Sequence, residues 1–450
     1  MRSLDISRRS LLAAVLPAAM SARPRPIRIV KASSNFERDP LKERLGFKGQ
    51  YMTEKWQIAT CIENASGRRA IGLCSQSVLW SDADVFSSYS EAAGNALMYA
   101  MLDEALRRIR GSAFRDPFEL LDSVLPETYA YGVRVTGKKK LRETFALMAL
   151  VSLDYAAWLL YASENGFRTF DEMIPVAYRQ FLGGRHRHVA AIPLISYSAP
   201  VSEVRRLAEE GHCFLKIKIG APGTQEEMLR KDMERLGQIH GAVREARNPY
   251  TKDGKPRYYL DANGRYERKE TVKRLLDHAA KIRALDQIAL LEEPLPEENE
   301  EDVRDLGVTV VADESAHTDK STVARIQMGY SAIAIKGAAK TLSMSLRVIH
   351  AAHTRGVPCF CADSAAIPIL VDWNKNIAAR LRPMPGLDIG LIESNGQQHH
   401  AHWDRLMSYH PCAGASWIAP RNGVFLLDDD FYRMSGGIFL ESAHYGSLFS

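Results

Sequence analysis

Cys213-Phe-Leu-Lys216-Ile-Lys218-Ile219 is an apolar run that carries a lysine at two alternate positions. Four later segments repeat the construction: Arg257-Tyr-Tyr-Leu-Asp261, Gln287-Ile-Ala-Leu-Leu-Glu292, Val308-Thr-Val-Val-Ala-Asp313 and Ser331-Ala-Ile-Ala-Ile-Lys336. Each reads as a buried parallel strand with a charged residue at its C-terminal end. Strand C-termini of an α/β barrel all open on one face, so five charged tips are expected in one pocket.

Working outward, Ile192-Pro-Leu-Ile-Ser-Tyr197 begins an alternation of apolar runs with helical stretches. Strands are expected near 192, 213, 257, 287, 308, 331, 357 and 386, with helical spacing over 201–211, 268–284 and 342–356. Eight strands with intervening helices predict a closed barrel. The turn-rich insertion Asn248-Pro-Tyr-Thr-Lys-Asp-Gly-Lys-Pro256 precedes the third strand, so it belongs on the face opposite the pocket. Before the barrel, 27–33, 56–62 and 70–77 read as strands, with Asn64-Ala-Ser-Gly67 as a turn, and 88–109 and 140–162 have helical spacing. That is an α+β region of its own, and 401–450 shows no clear pattern.

The 450 residues, 46% hydrophobic and 25% charged, provide ample core for one large or two linked domains. The 59 basic and 54 acidic residues are spread along the chain, with no basic stripe interleaved with aromatics, so no nucleic-acid partner is expected. Six cysteines in so long a chain form no disulfide framework, and Cys359 and Cys361 suit a buried strand better than a metal. Ser7-Arg8-Arg9-Ser10-Leu11-Leu12 sets a twin arginine before an apolar stretch too short to span a bilayer, followed by small residues. It resembles a twin-arginine export signal, with Leu11 where Phe is common, and predicts a periplasmic protein with no stable membrane association after export.

Asp261, Glu292 and Asp313 end the third, fourth and fifth predicted strands. Any one alone could be a helix cap or an ion-pair partner. Three at successive tips repel unless a cation sits among them, and an all-oxygen set favours Mg²⁺. Lys216 and Lys218 point to one side, roughly 6–7 Å apart, and burial plus a like charge predicts a lowered pKa for one of them. Lys336 enters across the mouth. A carboxylate substrate between the amines could lose the proton next to its carboxylate, giving an enediolate, and regain one on the other face.

The ordered set Lys216-Ile-Lys218, Asp261-Ala-Asn-Gly, Leu-Glu292-Glu-Pro294, Ala-Asp313-Glu-Ser315 and Ile-Ala-Ile-Lys336 resembles the enolase superfamily, specifically the muconate lactonizing enzyme subgroup. The resemblance implies a modified TIM barrel, (β/α)7β, at 191–400, an N-terminal α+β capping domain at 27–190 after a signal segment at 1–26, and a C-terminal segment, 401–450, returning to the cap. It implies Lys218 and Lys336 as acid/base pair, Lys216 as the neighbour that lowers a pKa, and Asp261, Glu292 and Asp313 as Mg²⁺ ligands, with Glu293 beside the metal site. Even-numbered homo-oligomers are common in the family. The mandelate racemase subgroup would place a His-Asp pair on strands six and seven, where this chain has Lys336 and Asp363-Ser364. Dipeptide epimerases often carry Asp-x-Asp at the end of strand eight, and Asp388-Ile-Gly390 lacks the second aspartate.

Substrate contacts are expected from Asp388, Glu393, Asp363 and a cap loop at 47–52. The histidines 399, 400 and 402 read as a solvated loop. The expected activity is a Mg²⁺-dependent racemase or epimerase of a small carboxylate, such as a dipeptide or N-acyl amino acid. A dehydratase or cycloisomerase would use the same groups. A binding protein without turnover, or a glycosidase, leaves the opposed lysines unexplained.

Overall fold

The computed structural model describes residues 25–47 and 50–450. Residues 1–24, most of the expected signal segment, lie outside the described residues.

The chain opens with a long antiparallel hairpin, β1 (Ile27–Phe47) and β2 (Gln50–Asn64), followed by β3 (Arg69–Ser75). With the short β4 (Ala113–Phe114) they form a sheet in the order β3-β2-β1-β4. Asn64 turns β2 into β3, its Oδ1 accepting the backbone N–H groups of Ser66 and Arg68 at 3.1 and 3.0 Å. The hairpin reaches far beyond the predicted strands because its outer half is polar and strand pairing rather than burial holds it.

Three helices pack on this sheet: Glu91–Ile109, Pro117–Thr136 and Glu143–Asn165. Sequence periodicity overlooked the second, although Asp116 caps its start, Pro117 opens its first turn and Gly137 ends it in the left-handed region. Pro126 inside it breaks the pattern. The third helix is apolar and long enough to cross a membrane, but it is buried on nearly every side as the hub of the cap. It lies so close to β3 that a Cβ on Gly72 would stand 2.1 Å from the Ser152 carbonyl oxygen.

The second sheet runs β14-β5-β13-β12-β11-β10-β9-β8-β7-β6. β5 (His188–Ile192) and β6 (Leu194–Ile195) are one strand interrupted at Pro193. β5 pairs in parallel with β13 (Gly390–Glu393), and β6 pairs in parallel with β7 (Phe214–Lys218). The ring therefore closes through Pro193. The other staves are β8 (Arg257–Asp261), β9 (Ile288–Glu292), β10 (Val310–Ala312), β11 (Ala332–Ile335) and β12 (Cys359–Cys361). Helices Val201–Glu209, Gln225–Val243, Lys269–Lys281, Asp319–Gln327, Leu342–His353 and Pro368–Ala378 cover it. Only a 3₁₀ turn, Arg304–Leu306, joins β9 to β10.

The eighth stave lies at 390–393, not near 386. Residues 384–388 run on its N-terminal side and meet the 248–256 insertion through the Thr251–Leu387 bridge. The tail adds β14 (Val424–Leu426) antiparallel to β5 and also reaches the cap, with His444 Nε2 2.8 Å from Glu37 and Arg69 2.6 Å from Glu441. All six cysteines are free thiols, and Cys359 and Cys361 are buried.

Candidate active site

Strand register sets the first three tips side by side: Lys218 pairs with Asp261, and Asp261 with Glu292. Asp313 and Lys336 stand one residue past β10 and β11. Both alternate lysines of β7 face the mouth and share one oxygen, with Asp261 Oδ2 at 3.0 Å from Lys216 Nζ and 2.6 Å from Lys218 Nζ. Lys216 also meets Glu292 Oε2 at 2.9 Å and Glu393 Oε2 at 3.1 Å. Lys218 donates to Asn263 Oδ1 at 2.5 Å. Across the mouth Lys336 donates to Asp313 Oδ2. Lys340, one helical turn later, donates to the carbonyl oxygens of Asp313 and Ala316 at 2.6 and 3.0 Å.

An aromatic closes the site from each side. Tyr259 donates its hydroxyl to Glu292 Oε2, and its ring lies 4.6 Å from Lys216 Nζ. Trp80, from the cap segment after β3, donates its indole N–H to Asp313 Oδ2 at 3.2 Å and covers Lys336 at 4.6 Å.

The electrostatics set the charge state of the buried groups. Burial pushes the Lys216 ammonium down, but Asp261, Glu292 and Glu393 outweigh it and hold the group well above the usual lysine range. Lys216 is the counter-ion at the centre of the carboxylates. Lys336 is likewise raised: burial opposes its charge, and Asp313 and Glu314 restore it. Asp313 answers in the other direction, because Lys336 and Lys340 overcome its burial and hold it far below the carboxylate range. Glu292 behaves differently. Burial, with the charge of Asp313 nearby, pushes it up to about 7 against the pull of Lys216.

The carboxylates offer oxygens to a hard cation. Ligand atoms of Glu292, Asp313 and Glu314 all lie within 4.8 Å of one another. Glu292 Oε1, Asp313 Oδ1 and Glu314 Oε2 are each buried without a hydrogen-bond partner. Three such oxygens fit a divalent ion with oxygen ligands. Asp261 stands outside this group: Oδ1 accepts the Asn263 N–H at 3.1 Å and Oδ2 serves the two lysines. Glu293 fixes the neighbouring backbone, its Oε1 accepting the N–H groups of Asp313 and Ser315 at 2.6 and 2.9 Å.

Other expected contacts divide. Asp388 is exposed and precedes β13, so it lies at the barrel end away from the mouth. The residues leaving strand eight are Glu393-Ser394-Asn395. Glu393 binds Lys216 and accepts from Asn395 Nδ2 at 2.9 Å. Asp363 is buried beside them and accepts the Ser364, Ala366 and Asn395 N–H groups. In the cap loop, residues 48 and 49 lie outside the described residues, and Met52 is buried beside Val78 and Phe86. Of the three histidines expected on a solvated loop, His402 is exposed, but His400 is fully buried, bridging Asp39 Oδ2 at 2.6 Å and the Ala365 carbonyl oxygen at 2.9 Å.

Sequence reasoning passed over Glu314, Lys340, Tyr259 and Trp80. Lys340 follows Lys336 by four residues, which is a helical signal. Glu314 follows Asp313 beyond the strand end, where alternation no longer sets direction. Trp80 belongs to another domain, and nothing local marks it.

Residues 200–382 match the family model described as enolase C-terminal domain-like. No curated protein sequence matches the chain. A mandelate racemase/muconate lactonizing protein from Herpetosiphon aurantiacus superposes with a TM-score of 0.62 at 18% identity, over 90% of this chain and 97% of that one. A dipeptide epimerase from Enterococcus faecalis, solved with Mg and the dipeptide L-Leu-L-Tyr, gives 0.60 at 16% identity, over 88% and 99%. An N-succinyl Arg/Lys racemase from Bacillus cereus gives 0.58 at 14% identity, over 83% and 89%.

Proposed function

The chain is enolase-superfamily-like, with the fold of the mandelate racemase/muconate lactonizing proteins, and from that premise we propose that it is a Mg²⁺-dependent racemase or epimerase. Its substrate is a small carboxylate, a dipeptide or N-acyl amino acid, in line with the dipeptide and N-succinyl substrates of two similar structures. One observation carries the reading. Lys218 ends the second stave and Lys336 follows the sixth, four places apart in a ring of eight, so two amines face each other across a cluster of carboxylates.

Glu292 and Asp313 would hold the ion, with Glu314 and Asp261 as candidates for a third place. Bound there, it would supply positive charge to stabilise the substrate carboxylate as the neighbouring proton leaves. The chain's own groups do the rest. Lys218, the more exposed amine, removes or returns the proton on one face of the α-carbon, and Lys336 serves the other face. Lys216 stays a cation and balances the acids between them. Trp80 keeps water from Lys336, and Tyr259 does the same for Lys216.

The test is α-proton exchange in D₂O with Mg²⁺ and both enantiomers of N-acyl amino acids and dipeptides. Lys218→Met and Lys336→Met are each expected to lose exchange from one enantiomer, opposite in the two variants, by at least about a hundredfold. A variant that keeps full exchange with both enantiomers sinks the two-base assignment. We also infer, from the twin arginine at 8 and 9, that the protein works in the periplasm.

A further inference from the structure

We propose that Lys55, on cap strand β2, is a specificity-determining residue whose ammonium binds a second anionic group of the substrate, remote from the reacting carbon. The inference rests on the reading above for where the substrate sits, but its test needs no turnover.

Lys55 is fully buried, and its Nζ donates to one acceptor, the Ser364 carbonyl oxygen at 2.9 Å, just past the tip of β12. An ammonium has three donors. No carboxylate lies within ion-pair distance of it among the described residues. The natural counter-ion is Asp39, which faces Lys55 across the β1–β2 register, yet Asp39 is committed to His400 at 2.6 Å and Arg405 at 3.1 Å. Asp363, whose charge Lys55 does feel, spends its oxygens on three backbone N–H groups. The Cys74 thiol nearby is neutral, pushed up to about 12 by burial.

A buried cation lacking its counter-ion is strongly unfavourable. Burial pushes Lys55 down to about 8, which leaves it charged at neutral pH. Its position places it over the chemistry. Ser364, which it binds, follows Asp363, whose N–H donates to Glu393 Oε2 at 3.2 Å, and Glu393 is a partner of Lys216. An anionic substrate arm extending from the mouth toward the cap would meet the Lys55 ammonium beside Ser364. An anionic arm would complete the ion pair that Asp39 does not.

Succinate, glutarate and adipate, each with its half-amide, give a length series in which only the second charge changes. Binding to the full chain is measured by calorimetry in saturating Mg²⁺. The wild type is expected to bind at least one diacid about tenfold or more tightly than its half-amide. Lys55→Met is expected to reduce that ratio to within about twofold, and Lys55→Arg to keep most of it. A lysine that only braces the cap would shift the melting temperature of Lys55→Met and leave the ratio intact, which overturns the proposal. So does a wild type that discriminates at no length, a result independent of how the variant folds. Lys55-dependent discrimination without α-proton exchange from any acid would keep the subsite and remove the racemase reading; exchange without discrimination would do the reverse.

Discussion

Lys216 shows how a single side chain changes meaning with its surroundings. On the strand it is half of a Lys-x-Lys pair, and two like charges on one face lower a pKa. In the barrel it has three carboxylates around it, so Coulomb attraction exceeds the cost of burial. The acids divide in the same way: Asp261 is occupied by lysines, while Glu292, Asp313 and Glu314 keep buried oxygens without donors. Glu292→Gln and Asp313→Asn are each expected to weaken Mg²⁺ binding about 10- to 100-fold by calorimetry. Between Asp261→Asn and Glu314→Gln, the larger loss marks the third ligand. The charged tips were legible as a set, because like charges at successive strand ends repel unless a counter-charge sits among them. Glu314 was not, since the rule of two ends with the strand.

Elements place these groups by register and by strained turns. Four residues other than glycine with positive φ lie in the loops of the mouth: Asn263, Glu293, Thr341 and Ala365. Each follows a site residue by one or two positions, and strain of this kind persists where surrounding contacts over-determine it. The apolar helix Glu143–Asn165 carries one buried acid, Asp154, whose oxygens accept the Ser343 N–H at 3.1 Å and its hydroxyl at 2.5 Å. Burial pushes Asp154 up to about 7 against those bonds. A carboxyl raised on folding stabilises the fold fully below its unfolded value, near 4, and loses that contribution as pH rises through about 7. Asp154→Asn is therefore expected to flatten the fall in stability between about pH 4 and 7, a fall of a few kcal/mol, on the order of what a shift of this size represents. Strands, the barrel class and two of the three long cap helices could be read from periodicity. The helix with Pro126 and the true eighth strand could not, because one residue masked a period and four residues separated two apolar runs of similar quality.

At the scale of the molecule, cap and barrel meet over the C-terminal ends of the staves. Asp39 on the hairpin holds His400, and His400 holds the Ala365 carbonyl oxygen beyond strand seven. His400→Ala is expected to lower stability by about 1–3 kcal/mol and to speed amide exchange in β1 and β2; unchanged exchange there would show that the cap is held by other contacts. The export reading of the twin arginine is tested by fusion: residues 1–26 joined to a folded reporter are expected to send it to the periplasm, and replacing Arg8 and Arg9 by lysines to stop it. Sequence alone determined the alternation of staves, their charged ends and the order of the motif, because strand period and tip chemistry are local properties of the chain. Only the tertiary structure decided that Lys216 sits among three carboxylates, that Glu314 joins the acids, and that Trp80 and Lys55 reach the barrel from another domain. Each of those depends on which charges and rings lie within a few ångströms, and that proximity joins residues hundreds of positions apart.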